Sequence, residues 1–159
     1  MTSLIAIDPG PHKSAYVVFD GSRLLRFGKV PNEELLAMLG DYSAVGLANC
    51  APLVVEQIAA MGMAVGAEVF ETVFWSGRFV ASYPHDWDRI KRCEVKLHLC
   101  GNMRAKDPNI RQALIDRFGG DSVAIGKKKS PGPLYGVSGD VWAALSVAVT
   151  YWDLRREAA

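Results

Sequence analysis

The sequence predicts a mixed α/β fold with a five-stranded sheet and helices on both faces. Three short β-type runs joined by tight turns come first, which predicts an antiparallel meander. Helical and strand-like segments then alternate, which is typical of a sheet whose crossover helices pack on its faces. The 159 residues, half of them apolar, are enough for one good core, so we predict a single domain over residues 1–159.

The first predicted strand ends on an acid. Residues 2–10 read Thr-Ser-Leu-Ile-Ala-Ile-Asp-Pro-Gly, an apolar run that finishes at Asp8 and is stopped by Pro9-Gly10. Pro cannot donate to a ladder and Gly allows a tight reversal, so we predict a hairpin into a second strand at 14–19. Asp20-Gly21 predicts the turn into a third strand at 22–30.

A helix and a second acidic strand follow the meander. Pro31-Asn32 predicts a helix start with Asn32 as its N-cap, and the helix should run to about Leu39. The apolar run 53–55 predicts a buried strand parallel to the first, and Glu56 follows it. A carboxylate flanked by buried strand residues is costly unless its charge is compensated, so Asp8 and Glu56 together indicate a shared cation.

The stretch 59–75 predicts a long helix that is apolar almost all round. Gly62 and Gly66 lie four residues apart and would place a groove of small residues on one face. We interpret this helix as a dimer seam, with burial inside its own chain as the alternative. A fifth strand is predicted at 78–83, where Pro84 ends it.

The remaining third of the chain is predicted to be helical and to carry the last acid. Asp107-Pro108 predicts the start of a helix that ends at Phe118. A basic loop with Lys127, Lys128 and Lys129 precedes Ser-Pro-Gly-Pro and is predicted to lack regular structure. The last helix should span 139–156, with Ser138 as its cap and Asp140 in its first turn.

The net charge of +1 conceals an uneven distribution of charge along the chain. Residues 1–88 hold five basic and ten acidic side chains, residues 89–129 eleven and four, and residues 130–159 two and three. A basic block beside an acidic half suits a metalloenzyme that cleaves a polyanion, with cations for phosphates and acids for metal. The alternative is an ordinary solvated surface, and for Lys127–Lys129 backbone phosphates are the expected partners.

We expect a cytoplasmic protein without a membrane segment. No apolar run approaches the length of a membrane span, and the N-terminus lacks the basic-then-apolar pattern of a secretion signal. The three cysteines, Cys50, Cys93 and Cys100, form no even disulfide framework, which fits a reducing compartment.

The order of the elements and acids resembles the ribonuclease H-like superfamily, and within it the RuvC-type Holliday junction resolvases. Four stretches carry the resemblance: Ile-Ala-Ile-Asp-Pro-Gly at 5–10, Val-Val-Glu-Gln at 54–57, the lysine-bearing segment 96–106, and the segment from Asp140 through 144–148. Together they extend over nearly the whole chain. The opening strand is also similar to actin-like ATPases, but the chain has no Gly-rich second phosphate loop and is short for two such lobes.

The resemblance implies a ribonuclease H-like mixed five-stranded sheet and a divalent-metal-dependent endonuclease. Asp8, Glu56 and Asp140 would be catalytic ligands of Mg²⁺ or Mn²⁺, with no organic cofactor. Lys96, Arg104 and Lys106 would contact DNA near the scissile phosphate. The expected assembly is a homodimer that cuts four-way DNA junctions by two paired nicks. Two alternatives stay open: another ribonuclease H-like nuclease that acts on branched DNA or an RNA–DNA hybrid, and a junction-binding protein with weak catalysis.

Two departures from the family pattern bear on the site. Many relatives carry a second acid or a histidine one turn into the last helix, where this chain has Ala143. Relatives also often place a wedging aromatic three residues after the strand glutamate, where this chain has Ala59; Met61 and Met63 nearby are candidates for an apolar wedge. The short chain and these departures are more similar to phage-encoded members, which would place the protein in the cytoplasm of a bacterial host.

Overall fold

Five strands form one mixed sheet in the computed structural model, which describes residues 2–41, 51–60 and 62–157. The order is β3-β2-β1-β4-β5, with β1 antiparallel to β2, β2 antiparallel to β3, and β4 and β5 parallel to β1. The strands are β1 (Leu4–Asp8), β2 (Lys13–Phe19), β3 (Leu24–Pro31), β4 (Leu53–Gln57) and β5 (Trp87–Lys91). The predicted meander, and the parallel pairing of the first and fourth strands, are confirmed.

Helices cover both faces of this sheet, as predicted. On one face α1 packs against α2, and on the other α6 crosses β1, β2 and β4 and contacts α3 and α4. The helices are α1 (Asn32–Gly40), α2 (Ala67–Ser82), α3 (Arg92–Cys100), α4 (Asp107–Arg117), α5 (Asp121–Ala124) and α6 (Val141–Glu157). The predicted bounds of the helices at 107–118 and 139–156 are confirmed to within two residues.

Successive side chains of β1 point to opposite faces of the sheet and belong to two separate layers of the core. Leu4 and Ala6 are fully buried against the α6 side, and Ile5 and Ile7 are fully buried against the α1 and α2 side. A strand covered on both faces reads as a continuous apolar run, and β1 does so. Its last residue, Asp8, continues the parity of Leu4 and Ala6 and therefore lies on the α6 face.

The fifth strand lies elsewhere than the sequence predicts. Residues 78–82 belong to α2, whose buried residues Thr72 and Phe79 follow helical spacing, with the buried Tyr83 just beyond its end. The fifth strand is β5, an edge strand in which Ile90 is the one fully buried side chain. An edge strand needs few apolar residues and is commonly charged, so the composition of β5 concealed it.

The predicted helix start at residue 59 is also wrong. The helix α2 begins at Ala67, and Gly66 is its N-cap, so the predicted Gly62–Gly66 groove lies ahead of the helix. Gly62 adopts a φ of +78°, and Met63 N–H donates to the Ala60 carbonyl in a turn. The side chain of Met63 is 74% exposed in this turn, whereas Met61 lies outside the described residues.

The lysine-rich segment is a two-stranded ribbon, where irregular structure was predicted. Strands β6 (Gly126–Lys127) and β7 (Ser130–Pro131) pair antiparallel, with Lys128 and Lys129 at the turn. Gly126 has a φ of +68°, and a Cβ on Gly132 would come within 2.2 Å of the Val123 carbonyl oxygen. The glycines therefore let the ribbon sit directly against α5 while its lysines stay exposed.

None of the helices in the part of the chain that the structure describes has the length and apolar character needed to cross a membrane.

Candidate active site

Strand register brings three of the charged residues into one row across the sheet. Asp8 pairs with Ala15 of β2, and Ala15 pairs with Lys29 of β3. On the other side, Ile7 pairs with Val55, so Asp8 and Glu56 follow neighbouring positions of two parallel strands. Paired residues on adjacent strands share a face of the sheet. Lys29, Asp8 and Glu56 therefore lie on the face that α6 crosses, with the small Ala15 leaving room between them.

The turn after Asp8 is held by a buried hydrogen-bond network. The Ser14 hydroxyl donates to Asn32 Oδ1 (2.7 Å) and accepts from the Gly10 N–H (3.1 Å), and Asn32 Nδ2 donates to the Gly10 carbonyl (2.9 Å). A Cβ on Gly10 would lie 2.3 Å from the Lys13 carbonyl oxygen. The prediction that Asn32 caps its helix is wrong: Pro31 is the N-cap, and the Asn32 amide instead fixes the loop that follows β1.

The environment of Asp8 disfavours its charged form. Burial, and after it the charges of the nearby Glu56 and Asp140, raise the pKa of Asp8 to about 7, against a smaller lowering by Arg92 and Lys29. Among the described residues no hydrogen-bond or ion-pair partner contacts the Asp8 carboxylate. A carboxylate held without a partner beside two others is the arrangement that a bound cation relieves.

The negative charge of Glu56 is compensated by an arginine that follows the neighbouring strand β5. Arg92, the first residue of α3, donates from Nη1 to Glu56 Oε2 at 3.1 Å, and its Nη2 meets Asp107 Oδ1 at 2.5 Å. Burial raises the pKa of Glu56, and the Arg92 charge and hydrogen bond offset part of that rise. Lys96 lies one helical turn after Arg92 and also lowers the Glu56 pKa through its charge.

Asp140 lies immediately before α6, and its carbonyl accepts the N–H groups of Ala143 and Ala144. Its carboxylate forms an ion pair with the Lys29 ammonium, although the Asp140 side chain is 52% exposed. Because Lys29 lies in the same row of the sheet as Asp8, this ion pair brings the Asp140 carboxylate toward Asp8, whose pKa the Asp140 charge helps to raise. The third acid therefore joins the edge where Asp8 and Glu56 meet.

The donor set suits a hard divalent cation, because all three groups are carboxylates. Asp8, Glu56 and Asp140 are the residues that would hold it, and the repulsion felt by Asp8 is the feature of this structure that supports the fit. Within residues 2–41, 51–60 and 62–157, however, no group of three acidic, His or Cys side chains is arranged to hold a metal ion as it stands. Lys29 and Arg92 take two of the carboxylates as ion-pair partners instead.

A groove begins at Glu56 and leads toward the predicted DNA contacts. It is a cavity of about 270 Å³ whose lining includes Glu56, Arg92, Lys96 and the exposed Met103. Arg104 lies beside Met103 in the loop between α3 and α4, and Lys106 is the N-cap of α4. The structure thus brings Lys96 to the acids and places Arg104 and Lys106 on the adjoining loop, while the Lys127–Lys129 ribbon lies against α5.

Lys29 and Arg92 are cations at this site that sequence reasoning missed. Lys29 becomes recognisable only once the register of the meander is known, because its row is shared with Asp8. Arg92 follows the buried Ile90 by two residues and so keeps the parity of the α6 face, but β5 itself was not predicted. The signal for each residue depended on a strand pairing that the sequence alone does not reveal.

The sheet order, the helices on both faces and the acids at the ends of β1 and β4 define a ribonuclease H-like α/β fold. No protein-family model matches the sequence, and no curated protein matches it. Among solved structures, the chain is similar to Thermus thermophilus RuvC, with a TM-score of 0.66 and 17% identity over 98% of this chain and 96% of that one. It is also similar to Thermus thermophilus RuvC in complex with a Holliday junction substrate, with a TM-score of 0.69 and 14% identity over 99% and 97% of the two chains. The protein therefore has the fold of RuvC, as the resemblance implied.

Proposed function

We propose that the protein is a divalent-metal-dependent endonuclease that resolves four-way DNA junctions by paired nicks. The observation that carries the proposal is the convergence of Asp8, Glu56 and Asp140 at one edge of a RuvC-type sheet. The similar Thermus thermophilus RuvC structure was solved with a Holliday junction substrate, which supports the choice of substrate. The proposed setting is the cytoplasm, that of a bacterial host if the gene belongs to a phage.

The reaction is hydrolysis of one phosphodiester per site, which consumes one water and leaves a phosphate end and a hydroxyl end. When bound, Mg²⁺ or Mn²⁺ would activate water and offset the charge that develops at phosphorus. The chain itself supplies positioning: the Ser14–Asn32 network holds the turn beside Asp8, and Lys96 in the groove neutralises a DNA phosphate. The exposed Met63, on the connection that follows β4, is available to wedge between bases at the crossover.

A homodimer is part of the proposal, and the face of α2 that the sheet leaves uncovered is the proposed seam. Phe70, Val73 and Phe74 are 65%, 52% and 58% exposed, and they share one helical face with Gly77. A Cβ on Gly77 would meet nothing within 4 Å, so this face allows a second helix to approach closely. An isologous pair would present two equivalent sites to the two equivalent strands of a junction.

The experiment is cleavage of a synthetic four-way junction by the wild-type protein, with and without Mg²⁺, beside linear duplex, flap and RNA–DNA hybrid substrates. We expect symmetric paired nicks in the junction only when Mg²⁺ is present. Faster cutting of the hybrid or the flap would contradict the junction assignment and favour the broader nuclease alternative. Asp8→Asn serves as the control for contaminating nuclease.

A junction-binding protein without efficient catalysis is the second candidate. It is favoured by one observation: Lys29 and Arg92 already neutralise Asp140 and Glu56, and Ala143 adds no carboxylate to hold metal. Tight, structure-selective junction binding with no Mg²⁺-dependent nicking would establish this candidate and reject the first.

A further inference from the structure

Arg92 is built into the acid cluster and not directed at solvent. Its side chain is 26% exposed, and its Nη1 donates both to Glu56 Oε2 at 3.1 Å and to Ser146 Oγ at 3.5 Å. Ser146 is fully buried on α6, and its hydroxyl donates to the Ala143 carbonyl at 2.7 Å, which leaves its oxygen lone pairs for the guanidinium. Contacts with Glu56 of β4, Asp107 of α4 and Ser146 of α6 therefore fix the Arg92 side chain.

The Arg92 guanidinium lies between carboxylates whose charge a second metal ion would otherwise have to compensate. Arg92, Asp107, Asp140 and Ala143 line one cavity of about 70 Å³ next to the three acids. Position 143, one turn after Asp140, faces this cavity with a methyl group only. A second divalent ion here would lie beside the positive charge of Arg92, and it could gain Glu56 and Asp107 as ligands only by breaking their ion pairs with Arg92.

The charge balance at the site also argues against a second divalent ion. Four carboxylates, those of Asp8, Glu56, Asp107 and Asp140, stand near two ion-paired cations, Lys29 and Arg92. Fully ionised, this set has a net charge of −2, and the charge of the nearby Lys96 brings it to −1, so one divalent ion is enough to neutralise it. Lys96 has no ion-pair partner among the described residues, so its ammonium group is available to bind a DNA phosphate.

We propose that the Arg92 guanidinium is a permanent cation of the active site that takes the place of a second divalent ion, so that each protomer binds one ion. A guanidinium suits this task because it stays protonated and carries five N–H donors in a rigid planar arrangement. Three of those donors are engaged by Glu56, Ser146 and Asp107, and the other two are free for the scissile phosphate. This inference rests on the proposed nuclease function for its biological meaning, but the ion count does not depend on it.

The test is a Mn²⁺ titration of the metal-free protein in the absence of DNA, with bound and free Mn²⁺ separated by electron paramagnetic resonance. We expect one ion per protomer in the wild type. The double variant Arg92→Gln with Ala143→Asp removes the guanidinium and adds a carboxylate to the same cavity, and it should bind two. Ala143→Asp alone should still bind one, since the new carboxylate pairs with Arg92.

Arg117→Gln is the matched control, because Arg117 also uses both of its Nη atoms in ion pairing, here to the single carboxylate of Asp153 at 2.6 and 2.7 Å, away from the acids. It should lose stability without changing the count of one ion. Two ions, or none, in the wild type would overturn the inference whether or not the double variant folds. One bound ion without any junction cleavage would instead reject the proposed function and leave the assignment of Arg92 intact.

Discussion

The charges around Asp8 are compensated unevenly by the chain itself. Lys29 pairs with Asp140 and Arg92 pairs with Glu56, whereas Asp8 has no such partner among the described residues. Asp8 is thus left with the least compensation of the three, which is why burial, Glu56 and Asp140 raise its pKa to about 7. Metal binding and protonation should compete at this carboxylate.

Asp8→Asn should stabilise the metal-free protein at pH 8 and abolish cleavage. The Asp8 pKa is raised from 3.8 to about 7 on folding, so its favourable contribution is complete below about pH 4 and is lost as the pH rises through 7. The neutral Asn avoids this loss, so the stability advantage of the variant over the wild type should be smaller at pH 5 than at pH 8. Melting temperatures at pH 5 and 8, with and without Mg²⁺, check the expectation.

The contrary outcome for Asp8→Asn is a lower melting temperature than the wild type at pH 8. That result would mean that the carboxylate stabilises the fold and is not held for a cation. Junction affinity of the variant should equal or exceed that of the wild type, because a negative charge facing phosphate has been removed.

Asp140→Asn separates a structural from a catalytic role for the third acid. The Asp140–Lys29 pair is exposed, so its loss should cost at most about 1 kcal/mol of stability. If Asp140 holds metal, nearly all cleavage is lost with little change in melting temperature. A variant that cuts at the wild-type rate would refute the three-acid site. Glu33→Gln, which removes the carboxylate of another exposed ion pair, to Arg78, is the matched control.

Single elements position this chemistry, and the Asn32 side chain links two of them. It ties the start of α1 to the turn between β1 and β2 through Ser14 and Gly10. Because Asn32 is 2% exposed, its hydrogen bonds are shielded from water and their loss leaves buried polar groups without partners.

Asn32→Ala should lower the free energy of unfolding by about 1–3 kcal/mol and reduce cleavage far more than junction binding. The reason is that the turn beside Asp8 loses its anchor while the DNA-contacting surface is unchanged. Urea unfolding, cleavage rates and junction affinity are the measurements. Asn109→Ala, at an exposed position where Asn109 Oδ1 accepts the Lys106 N–H at 2.9 Å, is the control. Equal losses of binding and cleavage in Asn32→Ala would contradict a positioning role.

The ribbon β6–β7 is the element on which the predicted lysine contacts depend. Its glycines seat it closely against α5, so Lys127, Lys128 and Lys129 project from a defined support. A supported ribbon loses less conformational freedom on binding than an irregular loop.

Replacing Lys127, Lys128 and Lys129 together by Ala should reduce the slope of log K against log salt by up to about 0.9 per lost phosphate contact. The effect should be the same for junctions of different base sequence, since phosphates carry no sequence information. Arg155→Ala is the control, because this residue lies near the far end of α6 from Asp140 and pairs with Asp88. An unchanged slope in the triple variant would show that the ribbon faces only water.

At the scale of the whole molecule, the sheet has two covered faces, but α2 has one face that the residues described in the structure leave exposed. The exposed Phe70, Val73 and Phe74 form an apolar patch on a helix that is otherwise anchored by Phe79. Contiguous exposed apolar residues of this kind commonly mark an interface.

Val73→Glu should convert the proposed dimer into monomers in sedimentation, because a charge would be buried at the seam with no basic residue one turn away on its helix. Gly77→Leu should have the same effect by holding the two helices apart. Leu25→Glu, at a site on β3 that is 47% exposed, is the control for adding charge to an apolar surface. A wild type that sediments as a monomer would contradict the seam, and so would a dimer indifferent to both changes.

The sequence by itself determined most of the sheet and all three candidate acids of the site. The meander, the parallel strand that ends at Glu56 and the last helix have strong local signals: apolar runs, turn residues and a carboxylate at a strand end. Those signals depend on neighbouring residues in the chain, and therefore they can be recognised without the fold.

Tertiary structure decided the remainder, because those features depend on which strands pair. The polar edge strand β5 exists because β4 offers it a partner, and residues 78–82 are helical because Phe79 packs under the sheet as part of α2. Lys29 reaches Asp140, and Arg92 reaches Glu56, only through strand register and the packing of α3 and α6. The sequence thus determined where the negative charge is placed, and the fold decided which cations meet it, since ion pairs between distant residues depend on geometry that no local pattern encodes.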